Sequence, residues 1–236
     1  MDLSPRLAAI ADLIPHGTRV ADIGTDHAML SLNLVNSGRS PKVIATDLNE
    51  HPYQTACRQV LSSDIQNKVE VRKGDGLEVI GLGEVDVVVI AGMGGNTIIG
   101  ILERSREVIS KVTRLVLQPM ADAPSLRFWL VQNGWHLVDE ELVKEDHKIY
   151  VIIVAEPGDE SVEDSFVMEI GPILLRKCSP IRNEYLERIK DDYQRVLSGL
   201  ARSRSQEAMD KAIEITIKLA KLREVIKNAG KESRYF

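Results

Sequence analysis

The sequence predicts an α/β protein with a Rossmann-like parallel sheet, followed by an antiparallel, coiled-coil-like helical hairpin. Over the first two thirds of the chain, short apolar runs alternate with helical patterns, as in βαβ units. Several of these runs end in turns that contain glycine and aspartate. Near the C-terminus, apolar residues recur at alternating spacings of three and four, which is the coiled-coil pattern.

Composition limits the function classes that need to be considered. The 236 residues suffice for one large domain, or for one domain with an appendage. Aromatic residues make up only 4%, which argues against a stacking platform for single-stranded nucleic acid. Cys57 and Cys178 match neither a zinc spacing nor a disulfide framework. No secretory or membrane-spanning apolar run occurs, so we expect a cytoplasmic protein with no metal and no membrane contact.

Charge is distributed unevenly along the chain. Residues 1–157 hold 15 basic and 21 acidic residues, whereas from Arg176 onward there are 15 basic and 9 acidic residues. The Pro-Gly break near residue 157 predicts a boundary between a domain at 1–157 and a hairpin at 158–236. The basic excess fits an anionic partner, and it fits equally well a solvated helical face.

The chain begins with an amphipathic helix, predicted from Leu3 to Ile14. Ser4 can cap this helix and Pro5 suits its first turn. Arg6 also lies in the first turn, where the helix dipole does not favour a cation. Its side chain is therefore either exposed to solvent or turned toward an anionic group, such as the carboxylate of a ligand.

The first strand, at about Arg19–Ile23, ends in a turn that we predict to bind a ligand. A helix follows from about Ala28, and backbone N–H groups at such a junction can meet a ligand. Asp22 and Asp26 bracket the turn at Gly24 and would repel phosphate. A cationic ligand rich in hydroxyls and amines fits better, and S-adenosylmethionine (SAM) is such a ligand.

Two more aspartates follow the next two strands. Asp47 ends the second strand 23 residues after Gly24, where an acidic residue can bind ribose hydroxyls. An aspartate there can also cap the next helix, but Asn49 is available for that role. A short strand at 69–72 leads to Asp75. Its carboxylate could accept a hydrogen bond from an exocyclic amine of a ligand, or it could bind only the backbone of its own turn.

The most apolar run, at 85–91, predicts a central strand of the parallel sheet. Three glycines follow it at 92–95, which indicates close approach of the backbone to another group. In open α/β sheets, ligands bind at this end of the strands. We predict that the domain closes with a strand at 114–120, a helix at 125–133 and an antiparallel pair at 135–143 and 150–155.

The predicted hairpin has two apolar stripes, joined by a short polar connection. The stripe residues are Leu186, Ile189, Tyr193, Val196 and Leu200, then Ala212, Ile215, Leu219, Leu222 and Ile226. The basic side chains that could contact phosphates are Arg182, Arg188, Lys190, Arg195, Arg202, Arg204, Lys211, Lys218 and Lys221.

Four phrases give the chain a resemblance to a known family. They are Ala-Asp-Ile-Gly-Thr-Asp-His-Ala at 21–28, Gly-Asp-Gly-Leu-Glu-Val at 74–79, Ile-Ala-Gly-Met-Gly-Gly at 90–95 and Leu-Gln-Pro at 117–119. The chain thereby resembles the bacterial tRNA (adenine-22 N1)-methyltransferases, which are class I SAM-dependent methyltransferases. The resemblance covers essentially the whole chain. It implies transfer of a methyl group from SAM to N1 of an adenosine in the D-arm region of tRNA.

The resemblance also implies roles for individual residues. The turn at 22–27 would hold the methionine part of SAM, Asp47 the ribose and Asp75 the adenine. The cofactor-binding residues it implies are Arg6, Asp22, Gly24, Thr25, His27, Asp47, Leu48, Gly74, Asp75, Gly76, Ala91 and Gly92. The catalytic residues it implies are Asp26, Met93 and Gly94. Met29 stands where a tyrosine is expected in relatives.

The chemistry agrees with this expectation. Adenine N1 carries a lone pair and no proton, so the transfer needs positioning rather than a general base. The turn at 92–95 lacks the Asp/Asn-Pro-Pro-aromatic signature of enzymes that methylate exocyclic amines. The alternative is a SAM-dependent methyltransferase acting on a small molecule or a protein, with the hairpin serving dimerisation. We expect a tRNA-binding chain that is a monomer or a weak dimer.

Overall fold

The computed structural model describes residues 3–159, 161, 164–203 and 205–232. Seven strands form one sheet: β1 Val20–Ile23, β2 Val43–Asp47, β3 Val69–Lys73, β4 Val87–Met93, β5 Arg114–Pro119, β6 Trp135–Glu145 and β7 Lys148–Pro157. Their order across the sheet is β3-β2-β1-β4-β5-β7-β6. Strands β1 to β5 pair in parallel, and β7 pairs antiparallel with both β5 and β6. This confirms the Rossmann-like parallel sheet with its antiparallel closing pair.

Helices precede, connect and follow the strands. They are α1 Pro5–Asp12, α2 Met29–Asn36, α3 Glu50–Leu61, α4 Gly95–Arg104, α5 Arg106–Ile109, α6 Ala123–Gln132, α7 Ser165–Ile170, α8 Pro172–Arg176, α9 Arg182–Leu200 and α10 Gln206–Glu232. Helix α1 begins as predicted, because the Ser4 hydroxyl accepts a hydrogen bond from the Leu7 N–H and Pro5 occupies the first turn.

Strand β4 is the central strand, as its composition predicts. Its residues from Val87 to Ile90 are fully buried, because helices cover both faces of a parallel sheet. The chain runs outward from β1 to β2 and β3 on one side, and from β4 to β5 on the other. The crevice at the carboxyl ends of β1 and β4 is therefore the switch point at which open α/β sheets bind ligands.

The first compact unit extends to Leu175, beyond the predicted boundary at residue 157. A fully buried ion pair explains the difference, because Arg127 Nε donates to Glu140 Oε1 at 2.6 Å. Arg127 Nη1 also donates to the carbonyls of Met168 and Glu169, and Glu140 Oε2 accepts from the N–H groups of Ile173 and Leu174, all in the segment that follows the sheet. The Pro-Gly break is a turn within this unit, not its end.

The second compact unit, residues 176–236, contains α9 and α10, which pack against each other. Leu186, Tyr193, Ile215, Leu219 and Leu222 are buried there, as the stripes predict. Val196 was predicted wrongly, because it is 45% exposed, whereas the next residue, Leu197, is partly buried. A helix with 3.6 residues per turn drifts away from a strict 3.5 repeat, which accounts for the shift by one residue. Arg204 lies outside the described residues.

None of the described helices combines the length and apolar character needed to cross a membrane. Within the same described ranges, no three His, Cys, Asp or Glu side chains form a group that could hold a metal ion. Cys57 and Cys178 are free cysteines.

Candidate active site

The turns after β1, β2 and β3 meet at one edge of the sheet. The Thr46 carbonyl accepts hydrogen bonds from the N–H groups of Gly24 at 2.8 Å and Thr25 at 2.9 Å. The Gly74 N–H donates to the Asp47 carbonyl at 3.0 Å, and the Thr46 hydroxyl donates to the Gly76 carbonyl at 3.2 Å. The structure thus brings the predicted groups together, but the amides of Gly24 and Thr25 hold the turn instead of facing a ligand.

Asp22 supplies a buried acidic group at the end of β1. Its Oδ2 accepts hydrogen bonds from the hydroxyls of Thr25 at 3.0 Å and Ser31 at 2.7 Å. Its Oδ1 receives no hydrogen bond from the described residues. Burial raises the pKa of the Asp22 carboxyl, and the two hydroxyl hydrogen bonds partly oppose that rise. A cationic group bound at Oδ1 would offset the burial of this carboxylate.

Asp26 and His27 lie at the rim of the same turn. His27 Nε2 is 3.3 Å from Asp26 Oδ1, and their side chains are 50% and 77% exposed. His27 and Ala28 both adopt positive φ, at 60° and 52°, so the backbone turns sharply here without glycine. This geometry leaves the Asp26 carboxylate accessible to a second substrate.

Asp47 lies at the end of β2 and is buried, with 8% exposure. Its Oδ1 accepts a hydrogen bond from the Asn49 N–H at 2.7 Å, whereas its Oδ2 receives none from the described residues. Asn49 occupies the N-cap position of α3, as expected, but its side chain makes no capping hydrogen bond. The Leu48 side chain beside Asp47 is 57% exposed and offers an apolar surface.

Asp75, in the turn between Gly74 and Gly76, has a partner that the sequence did not indicate. Both of its carboxylate oxygens lie 3.2 Å from Arg104 Nη2, and Arg104 is the last residue of α4. Both side chains are nearly half exposed, so the pair is a surface ion pair that a ligand amine can reach.

The glycine turn after β4 forms the opposite wall. The β4–β5 ladder shifts register between Ala91 and Met93, which leaves Gly92 as a bulge. The Met93 side chain extends over the first turn, since a Cβ atom placed on Gly24 would lie 2.1 Å from Met93 Cε. Gly94 is the N-cap residue of α4. The predicted catalytic residues Met93 and Gly94 thus border the predicted cofactor turn.

Arg6 reaches this wall from α1. Its Nη1 donates to Gln118 Oε1 at 2.7 Å, and its guanidinium lies 5.3 Å from the centroid of the Tyr150 ring. A Cβ atom on Gly92 would lie 3.6 Å from Arg6 Nη1. Arg6 Nε is buried and has no hydrogen-bond partner among the described residues. Of the two alternatives for Arg6, the structure supports the inward orientation, beside the site.

The open hydrogen-bonding groups of this crevice fit SAM. SAM carries an ammonium group, a carboxylate and ribose hydroxyls. The structure offers one unpartnered acceptor at Asp22 Oδ1, a second at Asp47 Oδ2 and one buried donor at Arg6 Nε. A buried donor such as Arg6 Nε is costly to leave unpaired, so this crevice indicates a polar ligand.

Three residues of the crevice were not singled out as site residues from the sequence: Arg104, Gln118 and Tyr150. For Gln118 the sequence did contain a signal, because a polar residue stands near the end of an apolar strand. The structure shows that this residue is fully buried, which is uncommon for glutamine. Arg104 and Tyr150 gave no such signal, since a charged helix end and an aromatic strand residue are common anywhere.

Comparison with known proteins identifies the family. Residues 3–153 match the family model described as a methyltransferase domain. The tRNA (adenine(22)-N(1))-methyltransferase of Bacillus subtilis is 39% identical over 186 residues, which are 77% of this chain and 78% of that protein.

Solved structures give the same result. The crystal structure of the B. subtilis m1A22 tRNA methyltransferase TrmK aligns with a TM-score of 0.87 and 35% identity, over 95% of this chain and 99% of that one. Streptococcus pneumoniae Sp1610, in complex with S-adenosyl-L-methionine, aligns with a TM-score of 0.84 and 30% identity, over 95% of this chain and 100% of that one. This chain belongs to the tRNA (adenine(22)-N(1))-methyltransferase family.

Proposed function

We propose that this protein transfers the methyl group of SAM to N1 of adenosine 22, in the D-arm region of tRNA, in the cytoplasm. The observation that carries the proposal is the 39% identity to the B. subtilis enzyme of that activity, over 77% of this chain. The crevice supports it as well, because its unpartnered groups complement SAM and the Met93 side chain of the glycine turn borders the cofactor turn.

Each wall of the crevice binds a different part of the cofactor in this proposal. Arg6 Nε meets the methionine carboxylate and Asp22 Oδ1 meets the ammonium group. Asp47 Oδ2 accepts a ribose hydroxyl, and Leu48 lies against the adenine ring. Asp75 accepts the exocyclic amine of adenine, while Arg104 keeps the Asp75 carboxylate oriented toward it. Gly24, Thr25, His27, Gly74, Gly76, Ala91 and Gly92 supply the backbone around these side chains.

When bound, SAM supplies a methyl group on a positively charged sulfur; the N1–carbon bond forms as the carbon–sulfur bond breaks, giving S-adenosylhomocysteine and a cationic adenine. N1 has no proton to lose, so the protein needs no general base. Its contribution is to align the lone pair with the methyl group and to face the growing positive charge with acceptors. Met93 and Gly94 shape the space for the base. The accessible Asp26 carboxylate is the acceptor that we assign to the growing positive charge.

Access to N1 requires the target adenine to leave its stack or its base pair. Tryptophan rings could stack on such a base, but Trp129 and Trp135 are only 8% and 5% exposed, and Trp129 donates its Nε1–H to Glu103. The fold therefore offers these two rings no role at the base. Recognition of tRNA by shape and phosphate contacts remains the mode that we propose.

The hairpin is the part of the chain that we propose to contact phosphates. Many of its cations, however, already bind acidic neighbours on the same helix: Arg188 with Glu184, Lys190 with Glu187, Arg195 with Asp192, and Lys211 and Lys218 with Glu214. Met209, Ile213 and Ile217 form an exposed apolar row on α10, which favours dimerisation as a second candidate role for the hairpin.

Incubation with SAM and unmodified tRNA, followed by mass spectrometry of the digested nucleosides, tests the proposed reaction. We expect 1-methyladenosine and S-adenosylhomocysteine in equal amounts. Formation of N6-methyladenosine, or the absence of any methylated nucleoside although SAM binds, would contradict the proposal.

A further inference from the structure

Gln118 occupies a position that links two parts of the proposed cofactor site. It lies in β5 next to the bulge of β4, and its side chain is fully buried. We infer that Gln118 is a positioning residue, whose amide fixes Arg6 against the Gly92 turn so that both meet the methionine part of the cofactor correctly. This inference rests on the proposed function.

The bulge creates the need for such a residue. In the β4–β5 ladder, Ala91 is opposite Gln118 and Met93 is opposite Pro119, so Gly92 has no opposing residue in β5. Gly92 adopts a φ of 78°, which directs the backbone out of the regular ladder. Its N–H instead donates to Gln118 Oε1 at 3.2 Å. The side chain of Gln118 thus replaces a missing backbone acceptor.

The contacts also determine the orientation of the amide. Gly92 N–H and Arg6 Nη1 both point at one atom of Gln118, which must therefore be the oxygen. The other atom faces the Pro119 carbonyl at 2.9 Å and must be the nitrogen. A single rigid group thereby holds a guanidinium, a turn amide and the end of β5.

Arg6 depends on this arrangement. A long arginine side chain has many conformers, and fixing one of them has an entropic cost. Gln118 and the Tyr150 ring restrict the guanidinium on two sides, while the buried Nε–H has no partner among the described residues. Gln118 therefore orients the donor that we assign to the ligand carboxylate, without touching the ligand itself.

The test replaces Gln118 with methionine, which has similar length but no hydrogen-bonding amide. Loss of a hydrogen bond to a charged group predicts about ten- to a hundredfold weaker binding of S-adenosylhomocysteine by calorimetry. We expect KM for SAM to rise by a similar factor, whereas KM for tRNA changes by less than about threefold.

Gln118→Glu separates positioning from folding. Its carboxylate still accepts from Gly92 and Arg6 but cannot donate to the Pro119 carbonyl, so urea denaturation must first show that the variant is folded. In the folded variant the charge neutralises Arg6 and weakens S-adenosylhomocysteine binding by about tenfold or more. Ser40→Ala is the matched control, because Ser40 is also a buried polar residue and donates to the carbonyls of Thr18 and Lys42, at the other end of β2. It should lower stability without changing ligand affinity.

A double variant tests whether Gln118 acts through Arg6. If it does, Arg6→Met together with Gln118→Met weakens binding little more than Arg6→Met alone. The inference is overturned if folded Gln118→Met or Gln118→Glu binds S-adenosylhomocysteine as the unmodified protein does. It is also overturned if Ser40→Ala loses as much affinity, or if the losses of affinity from Arg6→Met and Gln118→Met add up in the double variant. Failure of the unmodified protein to bind S-adenosylhomocysteine would instead reject the proposed function.

Discussion

At the scale of single residues, the site consists of groups whose placement is unfavourable for the isolated fold. Asp22 shows this most clearly, because burial raises the pKa of its carboxyl and only one of its oxygens has partners. The ionised form therefore lowers the stability of the free protein at neutral pH. A cationic ligand group removes this disadvantage, which links the stability of the fold to ligand binding.

Asp22→Asn tests this link. The asparagine oxygen can still accept the hydroxyls of Thr25 and Ser31, so we expect the free energy of unfolding at pH 7 to stay equal or to rise. Affinity for SAM should fall by about ten- to a hundredfold, because the interaction with the ammonium group loses its charge. Urea denaturation and calorimetry measure the two effects.

The pH dependence has a definite sign. The folded-state pKa of Asp22 lies above its unfolded value, so the destabilisation is full above the folded pKa and is absent below the unfolded pKa of about 3.9. Any stability advantage of Asp22→Asn should therefore shrink as the pH falls from 7 toward 4. An advantage that grows at acidic pH would contradict this account of Asp22.

Gly95 is required for a different reason, which is close approach between backbones. A Cβ atom at this position would lie 2.5 Å from the Asp122 carbonyl oxygen and 2.9 Å from that of Ala121. Gly95→Ala must push α4 away from the 121–122 turn, so we expect a loss of about 1–3 kcal/mol in unfolding free energy and a lower kcat.

Gly100→Ala is the control for that substitution. It lies in the same helix, and its Cβ atom would meet only the flexible Arg104 side chain at 3.4 Å. Because alanine favours helix over glycine by about 1 kcal/mol, we expect Gly100→Ala to be neutral or stabilising. Equal unfolding free energies of the two variants would show that the close approach at Gly95 does not affect the stability of the fold.

At the scale of elements, the hairpin offers a test of its proposed contact with tRNA. Hydrogen bonds from Lys218 and Lys211 lower the pKa of the Glu214 carboxyl to about 2. Glu214→Gln removes the negative charge that Lys211 and Lys218 share while leaving α10 intact. We expect tighter tRNA binding and a steeper plot of log affinity against log salt, by about 0.9 for each additional phosphate contacted.

Glu70→Gln is the matched control for charge. Glu70 also binds two cations, Lys42 and Arg72, but it lies on the edge strand β3 of the first unit. This control should leave the salt dependence unchanged. If Glu214→Gln and Glu70→Gln affect tRNA binding equally, the hairpin has no special role, and dimerisation through the exposed row on α10 becomes the better explanation.

The elements themselves could largely be predicted from the sequence. Apolar runs such as 85–91 and the glycine-aspartate turns define local structure, so the strands and the position of β4 were predictable. The boundary near 157 was not, because the buried Arg127–Glu140 pair binds backbone groups of residues 168–174, which lie 33 to 42 positions further along the chain. For the same reason, the partners of Asp75 and Arg6 became known only from the fold.

At the scale of the whole molecule, the site is assembled from turns that are distant in the chain but adjacent at one edge of the sheet. The turns after β1, β2 and β3 supply acceptors, and the bulged glycine turn after β4 lies beside the first of them. Arg6 from α1 and Gln118 from β5 complete the crevice. This arrangement explains how a sheet common to many enzymes can present one cofactor to an RNA base.

The central claim is methylation at N1 of adenosine 22, and a pair of tRNA transcripts tests it most directly. One transcript carries adenosine at position 22 and the other carries guanosine there, with the base opposite changed to keep any pairing. Incorporation of labelled methyl from SAM is measured for both. The account predicts stoichiometric 1-methyladenosine in the first transcript and none in the second; equal incorporation into both would contradict it.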